Sequence, residues 1–314
     1  MRKLEALFIL ASLFFLSSCG VFNSNDSETY KADQQIKKME RHSKESLAFF
    51  VAGHVYGSPG QNPDGLYSVF RSFLKKQTGI VEAWDFGFLT GDIVVDGKQQ
   101  EQWEMVERDL NRHFGKPAFF VAGNHDVNVG VESRQTFEKR YGKTYYSFQL
   151  GDAVFIVLDA NLENWNIKGA QLDLVDRALA GLKTKDQPVF VFTHQVIWWK
   201  DDKPFNSIKP NNFSHWLGST NFFDDLLPRF KAVSNPIYIF SGDVGAESDK
   251  KSEFSYIELE NLHLFTSGMG GRVRDNVLSV KYTRGEKVQI DLISLSNEPH
   301  SLGNLKPMPV KQSF

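Results

Sequence analysis

Four short polar turns in this 314-residue chain each place a possible divalent-cation ligand directly after an apolar run. Leu89-Thr90 leads into Gly91-Asp92-Ile93-Val94-Val95-Asp96, and Val121-Ala122 leads into Gly123-Asn124-His125-Asp126. Phe192-Thr193 leads into His194-Gln195, and Phe240-Ser241 into Gly242-Asp243-Val244-Gly245. Asp, Asn and His bind divalent metals through oxygen or nitrogen. A glycine ahead of the polar residue lets the backbone turn sharply and approach a ligand closely. Singly, each turn has an ordinary explanation, since Gly-Asp is a common turn and a His at a strand end is commonly a hydrogen-bonded structural residue. Gly123-Asn124-His125-Asp126 is harder to explain by turn chemistry. The repetition at four strand ends points to a metal centre.

The runs that carry these turns read as buried strands, because they are short, continuous and apolar. They cover residues 47–52, which end in Gly53, then 86–90, 118–122, 152–158, 189–193 and 236–241. Helical patterns fall at 66–76, 99–114 and 170–182. After Glu253 the helices stop, and strand-like runs follow at 255–259, 263–267, 277–282 and 287–295. Alternating helices and strands, then strands alone, imply a layered α/β sandwich with mixed sheets. The four ligand-bearing ends are expected on one sheet, with the ligand beyond the carboxyl ends of its strands.

From about Leu47 to Leu295 the chain resembles the calcineurin-like metallophosphoesterases, of the purple acid phosphatase-like superfamily. Gly91-Asp92 with Asp96 matches the family's second motif, Gly123-Asn124-His125-Asp126 its third, and Phe192-Thr193-His194 its fourth. Gly169-Ala170-Gln171-Leu172 and Ser267-Gly268-Met269-Gly270-Gly271 are also similar to family members. The resemblance implies an αββα fold with two mixed β-sheets and a phosphoester substrate. It makes Asp92 the carboxylate that bridges two metals, and gives Asn124 and His194 to one of them. His125 would contact the substrate phosphate or help the leaving group, and Asp126 would orient His125 by a hydrogen bond.

The resemblance fails at both ends of the motif set. The family's first motif is Asp-x-His, and this chain has Gly53-His54-Val55 there, with Gly53 and Val55 in the ligand positions. Its last motif is Gly-His-x-His, and this chain has Gly242-Asp243-Val244-Gly245. Three of the four ligands of the first metal are thus missing. The set for the second is complete as Asp92, Asn124, His194 and Asp243, with a carboxylate in place of one imidazole. One divalent ion is therefore expected, and three oxygen donors with one nitrogen favour Mn²⁺, Fe²⁺ or Mg²⁺ over Zn²⁺. One ion retains Lewis-acid activation of a phosphoryl oxygen but loses the second clamp of a two-metal site, so activity is expected to be altered. Two readings of His54 stand side by side. It serves near the vacated position as ligand or acid, or it caps the strand by hydrogen-bonding in the turn. Arg272 and Arg274 are placed to add positive charge if the Gly268–Gly271 turn faces the site. Residues 196–220, with Trp198, Trp199, Phe205, Phe213 and Trp216, read either as a substrate wall or as a loop pinned to the core.

The ends of the chain suggest export. Arg2 and Lys3 precede an apolar run from Ala6 to Leu16, too short for a membrane span, followed by Leu16-Ser17-Ser18-Cys19-Gly20. This resembles a bacterial lipobox, which implies a signal peptide over 1–18 and a lipid anchor on Cys19, the only cysteine. Residues 19–44 read as a polar tether, 45–295 as one phosphoesterase domain and 296–314 as a C-terminal tail. A net charge of −2 without a basic block argues against nucleic acid as a partner. The expectation is a metal-dependent phosphoester hydrolase anchored in the bacterial cell envelope. The alternatives are a non-catalytic envelope protein of the same fold that binds a glycan or phosphorylated ligand, and a hydrolase rebuilt for another bond.

Overall fold

A computed structural model describes residues 30–40, 45–58, 65–212, 220–246, 253–271, 274–295 and 306–309. The signal segment, Cys19, Arg272, Phe213, Trp216 and most of the tail lie outside the described residues. Eleven strands form two mixed sheets. The first holds β1 (Ser46–Ala52), β2 (Phe86–Thr90), β3 (Ala118–Val121), β10 (Asn276–Thr283) and β11 (Gln289–Ser294), in the order β11-β10-β1-β2-β3. Its β1, β2 and β3 are parallel, and β10 and β11 are antiparallel additions. The second holds β4 (Tyr146–Leu150), β5 (Ala153–Val157), β6 (Val189–Thr193), β7 (Ile237–Ser241), β8 (Phe254–Leu259) and β9 (Leu262–Ser267), in the order β4-β5-β6-β7-β9-β8. There β5, β6, β7 and β9 are parallel, with antiparallel strands at both edges.

Side-chain alternation along the strands builds three apolar layers. Phe49, Phe86, Phe88 and Phe119 of the first sheet meet Phe155, Phe190, Phe192 and Phe240 of the second. The rings of Phe88 and Phe192 stack across the gap with centroids 3.6 Å apart. The opposite faces bury Phe50, Leu89 and Phe120 under α2 (Ser68–Lys76) and α4 (Gln100–His113), and Ile156, Val191 and Ile239 under α7 (Ala170–Ala180). Each buried phenylalanine contributes about 1.5–3 kcal/mol of transfer free energy, so this central layer is the main adhesive between the sheets. The helices follow from local pattern. In α4, Trp103, Val106 and Leu110 recur on one face. It ends where Gly115, at φ 66°, turns back so that its N–H donates to the Leu110 carbonyl at 2.8 Å.

The layered α/β sandwich with two mixed sheets is as expected. Other elements differ from the sequence reading. Within the segment read as a tether, α1 (Ala32–Glu40) is a helix packed on β3 and β4, with Met39 buried in the inter-sheet layer. Four further helices were not foreseen: α3 (Thr78–Ala83), α5 (Asn124–Val127), α6 (Val131–Tyr141) and α8 (Leu227–Lys231). Nor was β4. Among the described residues no helix is long and apolar enough to cross a membrane.

Candidate metal centre

The four ligand-bearing turns lie at carboxyl ends of strands drawn from both sheets. Asp92 follows β2 and Asn124 opens α5 after β3, while His194 follows β6 and Asp243 follows β7. The expectation of a single sheet is corrected here, because strand order is set by tertiary pairing and leaves no trace in local periodicity. The centre straddles the two sheets at the end of the phenylalanine layer. Bare backbone makes the approach possible. A Cβ on Gly242 would stand 2.0 Å from the Thr90 carbonyl oxygen, and one on Gly91 would stand 2.4 Å from His194 Nδ1. Gly91 also has φ 81°, which favours glycine.

Three histidines are fixed in the same way. Nδ1 lies 2.9 Å from the Thr90 carbonyl oxygen in His194, 2.8 Å from that of Met269 in His54, and 2.7 Å from that of Val95 in His125. A carbonyl only accepts, so each Nδ1 carries a proton, and in the neutral ring Nε2 keeps its lone pair, the arrangement that suits a metal-binding imidazole. His194 Nε2 lies 3.3 Å from Asp92 Oδ1 and 3.7 Å from Asp243 Oδ1. One donor atom each from Asp92, His194 and Asp243 falls within 4.8 Å of the others, and all three residues are buried. Asn124 Oδ1 and His194 Nε2 are buried without a hydrogen-bond partner among the described residues. Such an orphan costs about 1–3 kcal/mol, which a cation would remove. Two carboxylates and an imidazole around one point, with an orphaned amide oxygen on the neighbouring turn, therefore fit a divalent metal.

The electrostatics agree with a cation-seeking site. Burial disfavours an ionised Asp92, yet His194 first, then His125 and His54, hold its carboxyl well below the usual range. Burial likewise disfavours a charged His194, but Asp92 and Asp243 outweigh it and raise the imidazole to about 10. His54 goes the other way, lowered by burial to about 4.

The remaining predicted residues take definite places. Asp126 does not touch the His125 ring. Its Oδ1 accepts the N–H groups of Ile93 (2.9 Å) and Val94 (3.1 Å), and its Oδ2 accepts that of Gly123 (2.8 Å). It ties the β2 turn to the β3 turn, and burial, then Asp92, raises its carboxyl pKa. The role expected of Asp126 falls to the Val95 carbonyl, because the closest donors to the carboxylate are backbone amides. His125 adds its own backbone N–H to Asp92 Oδ1 at 3.1 Å. His54 is 1% exposed, and its Nε2 lies 3.8 Å from Asp92 Oδ2. Arg274 is engaged with Glu253, 3.7 Å away, and the Phe254 ring.

The sequence reading missed two contributions. The Tyr56 ring stands between His54 and His125, with centroids 4.4 and 5.1 Å away. The insertion holds Asp243: Asn211 N–H donates to its carbonyl oxygen at 2.9 Å and Asn212 N–H to its Oδ1 at 3.2 Å. Trp198, Trp199 and Phe205 are buried in the core beside the second sheet, so the described part of the insertion is pinned to the core. Tyr56 shares a tetrapeptide with His54 and was within reach of sequence reasoning. Backbone donors such as Asn212 N–H carry no sequence signal.

The positions of the absent first-metal ligands are filled by the fold. A Cβ on Gly53 would stand 2.3 Å from the Ser267 carbonyl oxygen and 2.4 Å from Gly242 Cα. Val55 is fully buried among the helix-side core residues. Gly245 has φ 96°, and a Cβ there would stand 2.5 Å from Met269 N.

Solved structures share this fold. A purple acid phosphatase from yellow lupin (Lupinus luteus) seeds superposes with a TM-score of 0.59 at 14% identity, covering 80% of this chain and 52% of the lupin chain. The chain thus spans about half the length of that protein. A dimetal phosphatase from Danio rerio superposes with a TM-score of 0.52 at 13% identity, covering 80% of this chain and 96% of that one. No curated protein matches in sequence. The family model for calcineurin-like phosphoesterases matches residues 51–246, a span that holds all four candidate ligands, and on that match the chain belongs to the calcineurin-like phosphoesterase family.

Proposed function

We propose that this protein hydrolyses phosphate esters with a single divalent cation held by Asp92, Asn124, His194 and Asp243, and that it works anchored in a bacterial cell envelope. One observation carries the reading: buried donor atoms of Asp92, His194 and Asp243, from three strand ends, converge within 4.8 Å of one another, and Asn124 Oδ1 finds no partner within the described protein. The steric closure at Gly53 and Gly245 supports one cation rather than two. The oxygen-rich donor set favours Mn²⁺, Fe²⁺ or Mg²⁺.

The cation, when bound, would supply Lewis-acid stabilisation of charge on the phosphoryl oxygens. The chain's own residues do the rest. His125, its ring held by the Val95 carbonyl, would donate from Nε2 to a phosphoryl or leaving oxygen when the imidazole carries a second proton. Asp126 keeps the β2 and β3 turns in register, so Asp92 and Asn124 stay aimed at one point. Asn211 and Asn212 fix the Asp243 loop. The anchor rests on Cys19 after the apolar run.

Asp92→Asn tests the reading, and asparagine tolerates the left-handed backbone at this position, where φ is 51°. The variant should fold, lose the ion and lose at least about 100-fold in kcat/KM on a panel of phosphate mono- and diesters. Should the unmutated, cation-loaded protein cleave nothing in that panel while holding one ion, the second reading takes over. In that case the fold serves as a binder of a phosphorylated ligand or glycan, which the lost first motif would favour.

A further inference from the structure

His54 and Asp92 face each other across a gap that no donor fills among the described residues. His54 Nδ1–H is committed to the Met269 carbonyl at 2.8 Å, so Nε2 presents a lone pair. Asp92 Oδ1 is taken up by His125 N–H and lies beside His194, and Oδ2 is turned to His54. Nε2 and Oδ2 are thus two acceptors 3.8 Å apart, too distant for a direct hydrogen bond. A water molecule at ordinary hydrogen-bond distance, about 2.8 Å from each, would subtend about 90°, close to the angle between its own O–H bonds.

The backbone is strained to make this gap. His54 has φ 56° and Asp92 φ 51°, both in the left-handed region that side-chain-bearing residues avoid. The two turns lock together, His54 N–H donating to the Gly91 carbonyl at 3.1 Å and Tyr56 N–H to the Asp92 carbonyl at 3.2 Å. Strain of this kind clusters at functional sites. A residue that only capped β1 through Nδ1 would have no need of its Nε2 facing the central carboxylate.

We infer that His54 is a catalytic residue whose Nε2, together with Asp92 Oδ2, seats the attacking water. Each accepts one O–H bond, which leaves a lone pair of the water oxygen free to attack the phosphorus. As that P–O bond forms and the ester P–O bond breaks, one water proton passes to His54 Nε2, and the leaving oxygen departs with the bonding pair, to be protonated by solvent. In this tautomer His54 is an acceptor, so it serves neither as the acid for the leaving group nor as a donor to the phosphate. The inference rests on the hydrolase reading for its use, but the seat itself is a property of the resting protein.

His54→Asn tests it, because asparagine tolerates the left-handed turn but is too short to reach the gap. The cation-loaded variant should fold and keep one ion per chain, with an unfolding midpoint lowered by the loss of the bond to the Met269 carbonyl. It should lose about 100-fold in kcat, with KM nearly constant, on 4-nitrophenyl and alkyl phosphates alike. Loss of the ion would make His54 a ligand, a defect confined to the alkyl ester would make it the leaving-group acid, and an unchanged kcat would remove it from the chemistry. Each of these overturns the inference. A high-resolution crystal structure of the cation-loaded protein gives a readout independent of turnover. A water within about 3.1 Å of both atoms, absent in the variant, supports the seat, and a metal in the gap or an empty gap overturns it. If the unmutated protein cleaves no ester, the hydrolase reading falls while the crystal structure still decides the seat.

Discussion

Asp92 is the hub of the centre, and the imidazoles around it divide by what they face. His194 stands between two carboxylates and in the cation-free protein holds a proton up to about pH 10, against 6.5 for an ordinary histidine. Because its pKa is raised on folding, the stability this proton brings is complete below about pH 6.5 and fades as pH rises through about 10. A cation must displace the same proton. Binding between pH 7 and 9 should therefore release close to one proton per ion, and affinity should climb with pH across that window. Calorimetry in buffers of different ionisation enthalpy measures this, and binding without proton release would contradict the assignment of His194 as a ligand. The four candidate ligands were visible in the sequence because each follows a glycine or a threonine at the end of an apolar run. The partners of Asp126 were not, since its carboxylate binds backbone amides at Ile93 and Val94, more than thirty residues away.

Strands β1, β2, β3, β5, β6 and β7 were legible because they are buried on both faces and read as unbroken apolar runs. The missed elements have identifiable causes. In α6 the buried face mixes Ser133, Thr136 and Arg140 with Phe137 and Tyr141, and Arg140 is satisfied inside by Glu107 at 2.9 Å. A helix whose polar residues pair internally shows no apolar stripe. In β4 the sequence Tyr-Ser-Phe-Gln-Leu alternates, and a period-two reading would have found it. α1 hid in a polar segment because its buried Met39 is outnumbered by charged neighbours. The strand ends also carry a prediction. Restoring the family's first aspartate by Gly53→Asp should not restore a second ion, because its Cβ meets the Ser267 carbonyl oxygen. Urea unfolding should show a loss of about 2–3 kcal/mol, and metal analysis no gain. A stable variant holding two ions would show that the fold accommodates the first site after all.

The whole molecule is an αββα sandwich whose mixed sheets the pattern of elements announced, though not their strand order. The proposed anchor makes it a peripheral body on a lipid surface, tethered by residues that precede α1. Cys19→Ser should move the protein from the membrane pellet to the soluble fraction of the envelope while leaving ester hydrolysis intact. Retention in the pellet would require another means of attachment. One feature of the architecture reaches beyond the reaction. Asp92 and Asn124 belong to one sheet, His194 and Asp243 to the other. Between the sheets the main adhesive is an apolar layer rich in phenylalanine, which is non-directional, with a few directional bonds such as Tyr282 O–H to Asp152 Oδ2 at its margin. An ion bound at the seam would act as a latch across the two halves, and its binding free energy would add to folding as the logarithm of its free concentration. The rigidity of this protein would thereby be indexed to the supply of metal in the medium that bathes it.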